Sequence, residues 1–202
     1  MTKKENKMIK QFNLDFTALK SASYAMSTDE TRYYLCGVHI FEREGSIIYE
    51  ATNGHILIRV VSEVLQDGDC AGLDIIFPAF LVKELSKPAI KKGFGAGELT
   101  FVPCVVDATR INIEMIDGLI NFKLVDGTYP DTDKVIPKKS DVKIDNIGVS
   151  AGYMDKLSKS VKSLYGSESI SMNFTGDGFT SPILIQNSVA SNWLGVLMPL
   201  RI

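Results

Sequence analysis

The sequence has few of the features that mark secreted, membrane or metal-binding proteins. It contains three cysteines, Cys36, Cys70 and Cys104, and no pair of them has CxxC spacing. An odd cysteine count without that spacing predicts neither a disulfide framework nor a zinc site, so we expect reduced, partly buried thiols and no metal or other cofactor. No apolar run is long enough for a signal peptide or a membrane span. These absences predict a soluble protein of the cytoplasm.

Catalytic motifs are missing as well. The two histidines, His39 and His55, have no cysteine or carboxylate partner at ligand spacing, and a lone histidine is typically a hydrogen-bonded structural residue. The glycines of Gly93–Gly97 precede a predicted strand, whereas a phosphate-binding loop precedes a helix. The sequence has neither a GxSxG elbow nor a P-loop. It therefore predicts a non-enzymatic protein, and a hydrolase that depends on His55 is the weakest of the alternatives.

Charge of one sign is not in large excess. The net charge of −2 argues against a protein that coats nucleic acid by bulk attraction, although it leaves a local basic surface open. The chain is 45% hydrophobic and 23% charged over 202 residues. It can therefore bury a core and form one large domain, or one domain with a smaller unit.

Three segments have the apolar spacing of helices. The first runs from Asn13 to Ser27, with Asn13 as a candidate N-cap. The second, Pro78 to Lys92, begins with a proline, which the first helical turn tolerates, and Pro88 should kink it or end it early. The third, Ser150 to Leu164, repeats apolar residues on one face.

Between these helices the pattern is typical of antiparallel strands. Asn53-Gly54 separates the runs Ser46–Thr52 and His55–Val61, and predicts a hairpin with a type I′ turn, in which both turn residues have positive φ. Asp117-Gly118 marks another tight turn. The other predicted strands are Leu99–Val106, Arg110–Met115, Leu119–Val125, Ser169–Phe174, Pro182–Gln186 and Trp193–Met198.

The order of one helix followed by several strands occurs three times. It predicts an α+β fold of repeated units, each with one helix packed on an antiparallel sheet. Two units span residues 8–137 and a third spans residues 138–202. The stretch from Tyr129 to Ser140 is rich in proline and charge, which favours a domain boundary there.

Four segments carry a resemblance to a known family. Ser27–Val38 contains TRYYLCG and resembles the DxRYYLNG string of the bacterial DNA polymerase III beta subunit, the sliding clamp. Ala51–Leu57 resembles that family's ATDGHRLA hairpin, and Leu124–Pro137 resembles its LVDGxFPDY…VLP linker. Leu197–Ile202 resembles its MPMRL tail. Each motif alone is weak, but their shared order along the chain makes the match specific.

This resemblance implies a DNA-clamp fold of about one and a half clamp domains. Residues 8–137 are similar to the complete middle domain, and residues 138–202 to the second half of the last domain. Within the motifs, Asn53 and Ile56 stand where aspartate and arginine are usual, and Thr132 stands where tyrosine is usual. Because Ile56 lacks a cation that could hydrogen-bond a peptide, we expect weaker or redirected peptide binding.

The resemblance also implies contact with DNA. A clamp encloses duplex DNA without sequence specificity and turns its helices to the hole, which requires cations on exposed helix faces. The alternative interpretation is that lysines at helical spacing form an ordinary solvated surface. The lysines assigned to DNA are Lys20, Lys83, Lys87, Lys91, Lys156, Lys159 and Lys162.

A second implied site is a cleft that binds short linear peptides through an apolar anchor and a polar rim. Leucine, valine, methionine and proline would form an adaptable apolar floor. For Leu35, Leu57 and Val196, an ordinary role in the core is equally open. The residues that the resemblance assigns to this cleft are Leu35, Thr52, Gly54, His55, Ile56, Leu57, Pro137, Val196, Met198, Pro199, Leu200 and Arg201.

The implied function is that of a homo-oligomeric ring that encircles duplex DNA and confers processivity on a polymerase. About twelve helix-and-sheet units make such a ring and this chain has about three, so a tetramer is one way to close it. The implied partners are duplex DNA, a DNA polymerase or other replication proteins, and a clamp loader. The alternative is a clamp-like peptide binder or decoy that does not encircle DNA and regulates replication.

Overall fold

The computed structural model describes residues 9–66, 68–85, 101–107, 109–115, 118–137, 147–174 and 180–200. The helices in these ranges are α1 (Phe16–Ser23), α2 (Ala79–Leu85) and α3 (Ala151–Tyr165), and Glu30–Leu35 and Thr132–Val135 form 3-10 turns. The strands are β1 (Ile9–Asp15), β2 (Gly37–Arg43), β3 (Ser46–Thr52), β4 (Ile56–Val61), β5 (Asp74–Pro78), β6 (Phe101–Asp107), β7 (Arg110–Met115), β8 (Gly118–Lys123), β9 (Ser171–Phe174), β10 (Ile183–Gln186) and β11 (Trp193–Leu197).

These strands form two antiparallel sheets. One has four strands in the order β1-β6-β7-β8, and the other has seven in the order β5-β2-β3-β4-β11-β10-β9. Because β4 pairs with β11, Leu57 lies opposite Val196, and segments far apart in the sequence share one sheet. The predicted α+β architecture is confirmed. The domain bounds 8–137 and 138–202 stay a prediction.

The strands β3, β4 and β6 to β11 confirm the predicted ones within a few residues, whereas β1, β2 and β5 were not predicted. β2 begins with five consecutive buried residues and β5 ends with four, so both of their faces are covered. A strand that is buried on both faces shows no alternation of apolar and polar residues. The usual strand pattern is therefore missing from their sequences.

The predicted hairpin of β3 and β4 is confirmed, but its predicted turn type is wrong. Gly54 has a φ of 89°, while Asn53 does not have a positive φ. The Asn53 side chain instead accepts hydrogen bonds from the backbone N–H groups of His55 and Ile56, at 2.9 and 3.0 Å. Such side-chain closure makes a longer turn without left-handed backbone at the asparagine. Two successive positive φ values occur at Glu44-Gly45, between β2 and β3.

The predicted start of α1 is also wrong. Asn13 lies in β1 opposite Pro103 of β6, and its side-chain amide donates to the carbonyl oxygen of Leu65. The N-cap is Asp15, whose carboxylate accepts from the N–H groups of Thr17 and Ala18, both at 2.9 Å. Pairing of β1 with β6 therefore outweighs the local capping preference of Asn13.

The other two helices follow the prediction more closely. Pro78 ends β5 and α2 begins one residue later, and the predicted continuation to Lys92 lies outside the described residues. α3 begins after Ser150 and ends at Gly166, which has a φ of 70° and closes the last turn onto the carbonyl of Lys162. No helix in the described ranges is long and apolar enough to cross a membrane.

Hydrogen bonds of Ser160 and a close approach at Gly195 pack α3 against α1 and β11. The hydroxyls of Ser21 in α1 and Ser160 in α3 lie 2.7 Å apart, and the Trp193 indole N–H donates to Ser160 at 2.9 Å. A Cβ at Gly195 would lie 2.7 Å from a Leu157 methyl, so the absent side chain lets α3 approach β11 closely. α1 also contacts α2, so the three helices are neighbours.

The three cysteines are free, as predicted. Cys36 is half-buried, and Cys70 and Cys104 are buried. Burial raises the pKa of the Cys36 and Cys104 thiols. These two residues therefore resemble structural thiols more than nucleophiles.

Candidate functional site

A groove of about 280 Å³ lies where β4 pairs with β11. Five segments of the described chain line it: the Glu30–Leu35 turn, the β3–β4 hairpin, the Pro130–Val135 segment, β11 and the residue after β11. The lining residues are Arg32, Tyr34, Leu35, Thr52, Gly54, His55, Ile56, Leu57, Pro130, Asp131, Thr132, Val135, Val196 and Met198.

Most of the residues assigned to a peptide cleft come together at this groove. They are Leu35, Thr52, Gly54, His55, Ile56, Leu57, Val196 and Met198. Pro137, Pro199 and Leu200 are described but do not line it, and Arg201 lies outside the described residues. Leu200 instead continues the chain past the groove, where its N–H donates to the Gly148 carbonyl at 2.8 Å.

The floor of the groove is apolar and already well packed. Leu35, Leu57 and Val196 are each at most 5% exposed, so they support the groove from below. Ile56 alternates with Leu57 along β4 and packs in the main core beneath the helices. The contact area left for a ligand comes from half-buried or exposed residues at the rim, such as Met198 and Val135.

The hairpin end of the groove is shaped by Gly54. A Cβ there would lie 3.1 Å from an Arg32 guanidinium nitrogen, and its positive φ is a conformation that other residues rarely adopt. The Arg32 Nε donates to an Asp29 carboxylate oxygen at 3.0 Å. Hydrogen bonds from Thr31 and then from Arg32 lower the pKa of Asp29. A guanidinium group thus stands at the hairpin end of the groove.

Pro130, Asp131, Thr132 and Val135 also line the groove, and they belong to residues 129–135, which we call the linker wall. The Tyr129 hydroxyl accepts a hydrogen bond from the Thr52 N–H at 2.9 Å, and burial raises the pKa of this hydroxyl. The Asp131 carboxylate accepts from the Asp133 N–H and so caps the 3-10 turn. Sequence reasoning assigned these residues to a domain boundary and missed their part in the groove. Arg32 and Tyr34 were missed too, although both stand in the RYYL string.

The described lysines among those assigned to DNA lie on α1, α2 and α3. Lys20, Lys83, Lys159 and Lys162 are exposed and Lys156 is half-buried, while Lys87 and Lys91 lie outside the described residues. Two of the lysines already have acidic partners. The Lys159 ammonium lies 2.6 Å from the Asp155 carboxylate, which raises the pKa of Lys159, and Lys162 pairs with Glu168.

Both histidines pack against neighbouring aromatic side chains. His39 lies between the carboxylates of Glu50 and Asp74, each 2.9 Å from a ring nitrogen. The His55 ring stacks on Tyr153 at 5.5 Å between centroids. Within the described ranges no three His, Cys, Asp or Glu side chains are grouped to hold a metal ion.

Comparison with known proteins identifies similar sequences over more than half of the chain. Residues 10–131 match the family described as DNA polymerase III beta subunit, central domain. The chain is 30% identical over 131 residues to the beta sliding clamp of Synechocystis sp., covering 60% of this chain and 32% of that one. It is 33% identical over 129 residues to the beta sliding clamp of Chlamydia pneumoniae, covering 64% and 33%. The chain thus spans about a third of the length of these relatives.

Solved structures agree with the predicted clamp fold. The DNA polymerase sliding clamp from Caulobacter crescentus matches with a TM-score of 0.75 at 19% identity, over 100% of this chain and 68% of that one. A DnaN sliding clamp from Bartonella birtlesii, bound to griselimycin, matches with a TM-score of 0.74 at 22% identity, over 96% and 66%. The DNA-clamp fold is therefore confirmed.

Proposed function

Because this chain belongs to the DNA polymerase III beta subunit family, we propose that it is a sliding-clamp-like processivity factor, which encircles duplex DNA and binds polymerase peptides in the β4/β11 groove. It acts by binding and not by catalysis, in the cytoplasm. The observation that carries the proposal is the groove, because residues of four separate sequence motifs come together there.

The groove has the chemistry of a peptide site. Its floor is apolar, its rim holds Tyr34, Met198 and Val135, and Arg32 stands at one end. A ligand with one or two large apolar side chains and a nearby carboxylate would match it, because the side chains displace water from the apolar rim residues and the carboxylate pairs with the guanidinium. A short segment of a DNA polymerase or another replication protein meets this requirement.

The helices support a sequence-independent contact with DNA. Lys20, Lys83 and Lys156 have no ion pair among the described residues, and they lie on helices that are neighbours. The pairs of Lys159 and Lys162 are exposed, and exposed pairs are weak because solvent screens them, so phosphate groups could replace the carboxylates at little cost. A clamp needs only such weak contacts to slide.

Oligomer formation would complete the ring. β8 and β9 are sheet edges with no neighbouring strand among the described residues. Each edge has a row of half-buried apolar side chains on its core side: Ile120 and Phe122 in β8, and Met172 and Phe174 in β9. Pairing β8 of one copy with β9 of another would cover both rows. With about three units in a chain, a tetramer would close a ring of about twelve units, and a clamp loader would open it.

Retention on circular DNA tests encirclement. The protein is incubated with nicked circular plasmid, with a loader fraction where needed, and passed through a gel-filtration column before and after linearisation. A ring stays on the circle and is lost from the linear form. Light scattering measures the native mass in parallel, and a closed number of protomers is expected.

A second candidate is a decoy that binds polymerase peptides without enclosing DNA. The observation that favours it is the pairing of Lys159 and Lys162 with acids, which lowers the free positive charge on α3. This decoy would bind the peptides as a monomer or a dimer and would be lost from circular and linear plasmid alike.

A further inference from the structure

A row of polar residues crosses the seven-stranded sheet beside the groove. His39 in β2 lies opposite Glu50 in β3, and Glu50 lies opposite Arg59 in β4. All three are buried, with exposures of 9%, 1% and 8%. Burying three ionisable groups is costly unless each is paired and hydrogen-bonded, so their partners define what the row does.

The Arg59 guanidinium joins this row to the linker wall. Its Nε donates to Glu50 at 2.8 Å, its Nη1 to the Asp133 carboxylate at 2.6 Å and its Nη2 to the Thr132 hydroxyl at 2.7 Å. The Thr132 hydroxyl in turn donates to Glu50 at 2.8 Å. Asp133 also accepts from Arg43 at 2.8 Å. Two consecutive wall residues are thus bound by charge-assisted hydrogen bonds to the sheet.

His39 holds the other end of the wall. Its ring lies between Phe41 and Tyr129, with centroids 4.6 and 4.5 Å apart, and Tyr129 in turn bonds Thr52 in the groove. The two ring nitrogens of His39 each lie 2.9 Å from a carboxylate oxygen, one of Glu50 and one of Asp74. The same buried row therefore contacts the first residue of the wall and its 3-10 turn.

The ionisation of these carboxylates fits the network. Burial alone would raise the pKa of Glu50, but hydrogen bonds from His39 and Thr132 and the charge of Arg59 bring it below its ordinary value. Hydrogen bonds from Arg43 and Arg59 lower the pKa of Asp133 to about 2. Both carboxylates are ionised at neutral pH, so the ion pairs are present under ordinary conditions.

We propose that Arg59, Thr132 and Asp133 are positioning residues for peptide binding, which hold the linker wall at the distance from β4 and β11 that the ligand requires. This inference rests on the proposed function of the groove. Thr132 and Val135 line the groove, and Thr132 is bound directly to Arg59. Release of the wall widens the groove without removing any residue from its apolar floor. A bound peptide then loses contacts on one side and dissociates faster.

Asp133→Ala is the variant that separates positioning from folding. The Asp133 side chain is 47% exposed, so its removal lets water reach Arg59 and leaves no buried unpaired carboxylate. Thr132→Val keeps the volume of a buried wall residue and removes its hydroxyl. Asp155→Ala is the matched control, because it also removes an exposed aspartate from an ion pair, but one with Lys159 on α3 and not among the residues that line the groove.

The assay is fluorescence anisotropy with the full chain and a panel of labelled hexapeptides. Each peptide has two apolar anchor residues, chosen among Leu, Met and Phe, next to its C-terminal carboxylate. We expect Asp133→Ala and Thr132→Val to weaken binding about five- to tenfold, mainly through faster dissociation, and Asp155→Ala to leave it unchanged. Hydrogen exchange should become faster at residues 129–135 in both wall variants, while the far-UV circular dichroism of Asp133→Ala stays that of the folded wild type.

The outcomes separate this inference from the function on which it rests. A wild-type chain that binds none of the peptides would count against the groove as a peptide site. If the wild-type chain binds a peptide, but the wall variants have unchanged dissociation rates and unchanged hydrogen exchange at residues 129–135, the positioning role alone would be overturned.

Discussion

Ser160→Ala should destabilise the protein more than its small volume suggests. Ser160 is fully buried, and its hydroxyl lies between the Ser21 hydroxyl and the Trp193 indole N–H. After the substitution Ser21 keeps an acceptor, because its hydroxyl also reaches the Ser160 backbone carbonyl at 3.2 Å. Trp193, which is 2% exposed, loses its partner. A buried donor without an acceptor costs about 1–3 kcal/mol, so we expect a loss of about 2 kcal/mol in the free energy of unfolding.

Ser21→Ala gives the first comparison. Ser160 would still accept from Trp193, and its own proton could turn to a carbonyl of α3, so the expected loss is about 1 kcal/mol. Ser163→Ala is the matched control, since Ser163 is a half-buried serine in the same helix whose hydroxyl bonds only locally, to the Ser160 carbonyl. We expect a change within about 0.5 kcal/mol there.

Urea denaturation followed by far-UV circular dichroism measures all three variants. For a chain of this size about 2 kcal/mol corresponds to a fall of roughly 4–8 °C in melting temperature. If Ser160→Ala costs no more than Ser163→Ala, or less than Ser21→Ala, the Trp193 hydrogen bond does not stabilise the packing of α3 as the geometry requires.

The remaining predictions concern the groove, acid and DNA. Gly54→Ala should weaken peptide binding in the anisotropy assay and destabilise the chain by about 1 kcal/mol, because it strains a positive φ and crowds Arg32; unchanged affinity would contradict this. The pKa of Asp133 falls from an ordinary 3.8 to about 2, so its contribution to stability is complete above about pH 5 and disappears as the pH falls towards 2. The free energies of unfolding of the wild type and of Asp133→Asn, measured across this pH range, should therefore converge as the pH falls. A difference that stays constant with pH would contradict this prediction. Lys20→Glu combined with Lys83→Glu should shorten retention on nicked circular plasmid, most clearly at low salt, while the native mass stays constant. Full retention of this variant would show that the two lysines do not contact DNA.

The sequence predicted β3 and β4, although both contain five consecutive buried residues, because the Asn53-Gly54 dipeptide marked the turn between them. It did not predict β2 and β5, whose two covered faces leave no alternation. It also placed the start of α1 at Asn13, because the competing partner, β6, is distant in the sequence. Local preferences thus identified the elements, and long-range pairing decided where they begin.

The groove shows the same division between local and long-range information. Its floor was assigned through motifs, and the structure brings Leu57 and Val196 together. The linker wall was missed because Thr132 and Asp133 are ordinary turn residues when read alone. Their partner is the buried guanidinium of Arg59, which lies opposite Glu50 on the neighbouring strand. This partner can be identified only when the register of the strands is known. A motif can identify which residues meet, whereas the contacts that support them depend on the register.

The position of β11 has a consequence for biosynthesis. This strand lies in the interior of the seven-stranded sheet, between β4 and β10, and its residue Val196 pairs with Leu57, a partner 139 positions earlier (196 − 57). A nascent chain therefore leaves one side of β4 unpaired until residues 193–197 have been synthesised. The groove cannot form in an incomplete translation product that lacks residues 193–197. Such a truncated chain would expose an unpaired edge of β4, which favours aggregation, and would lack the ligand site.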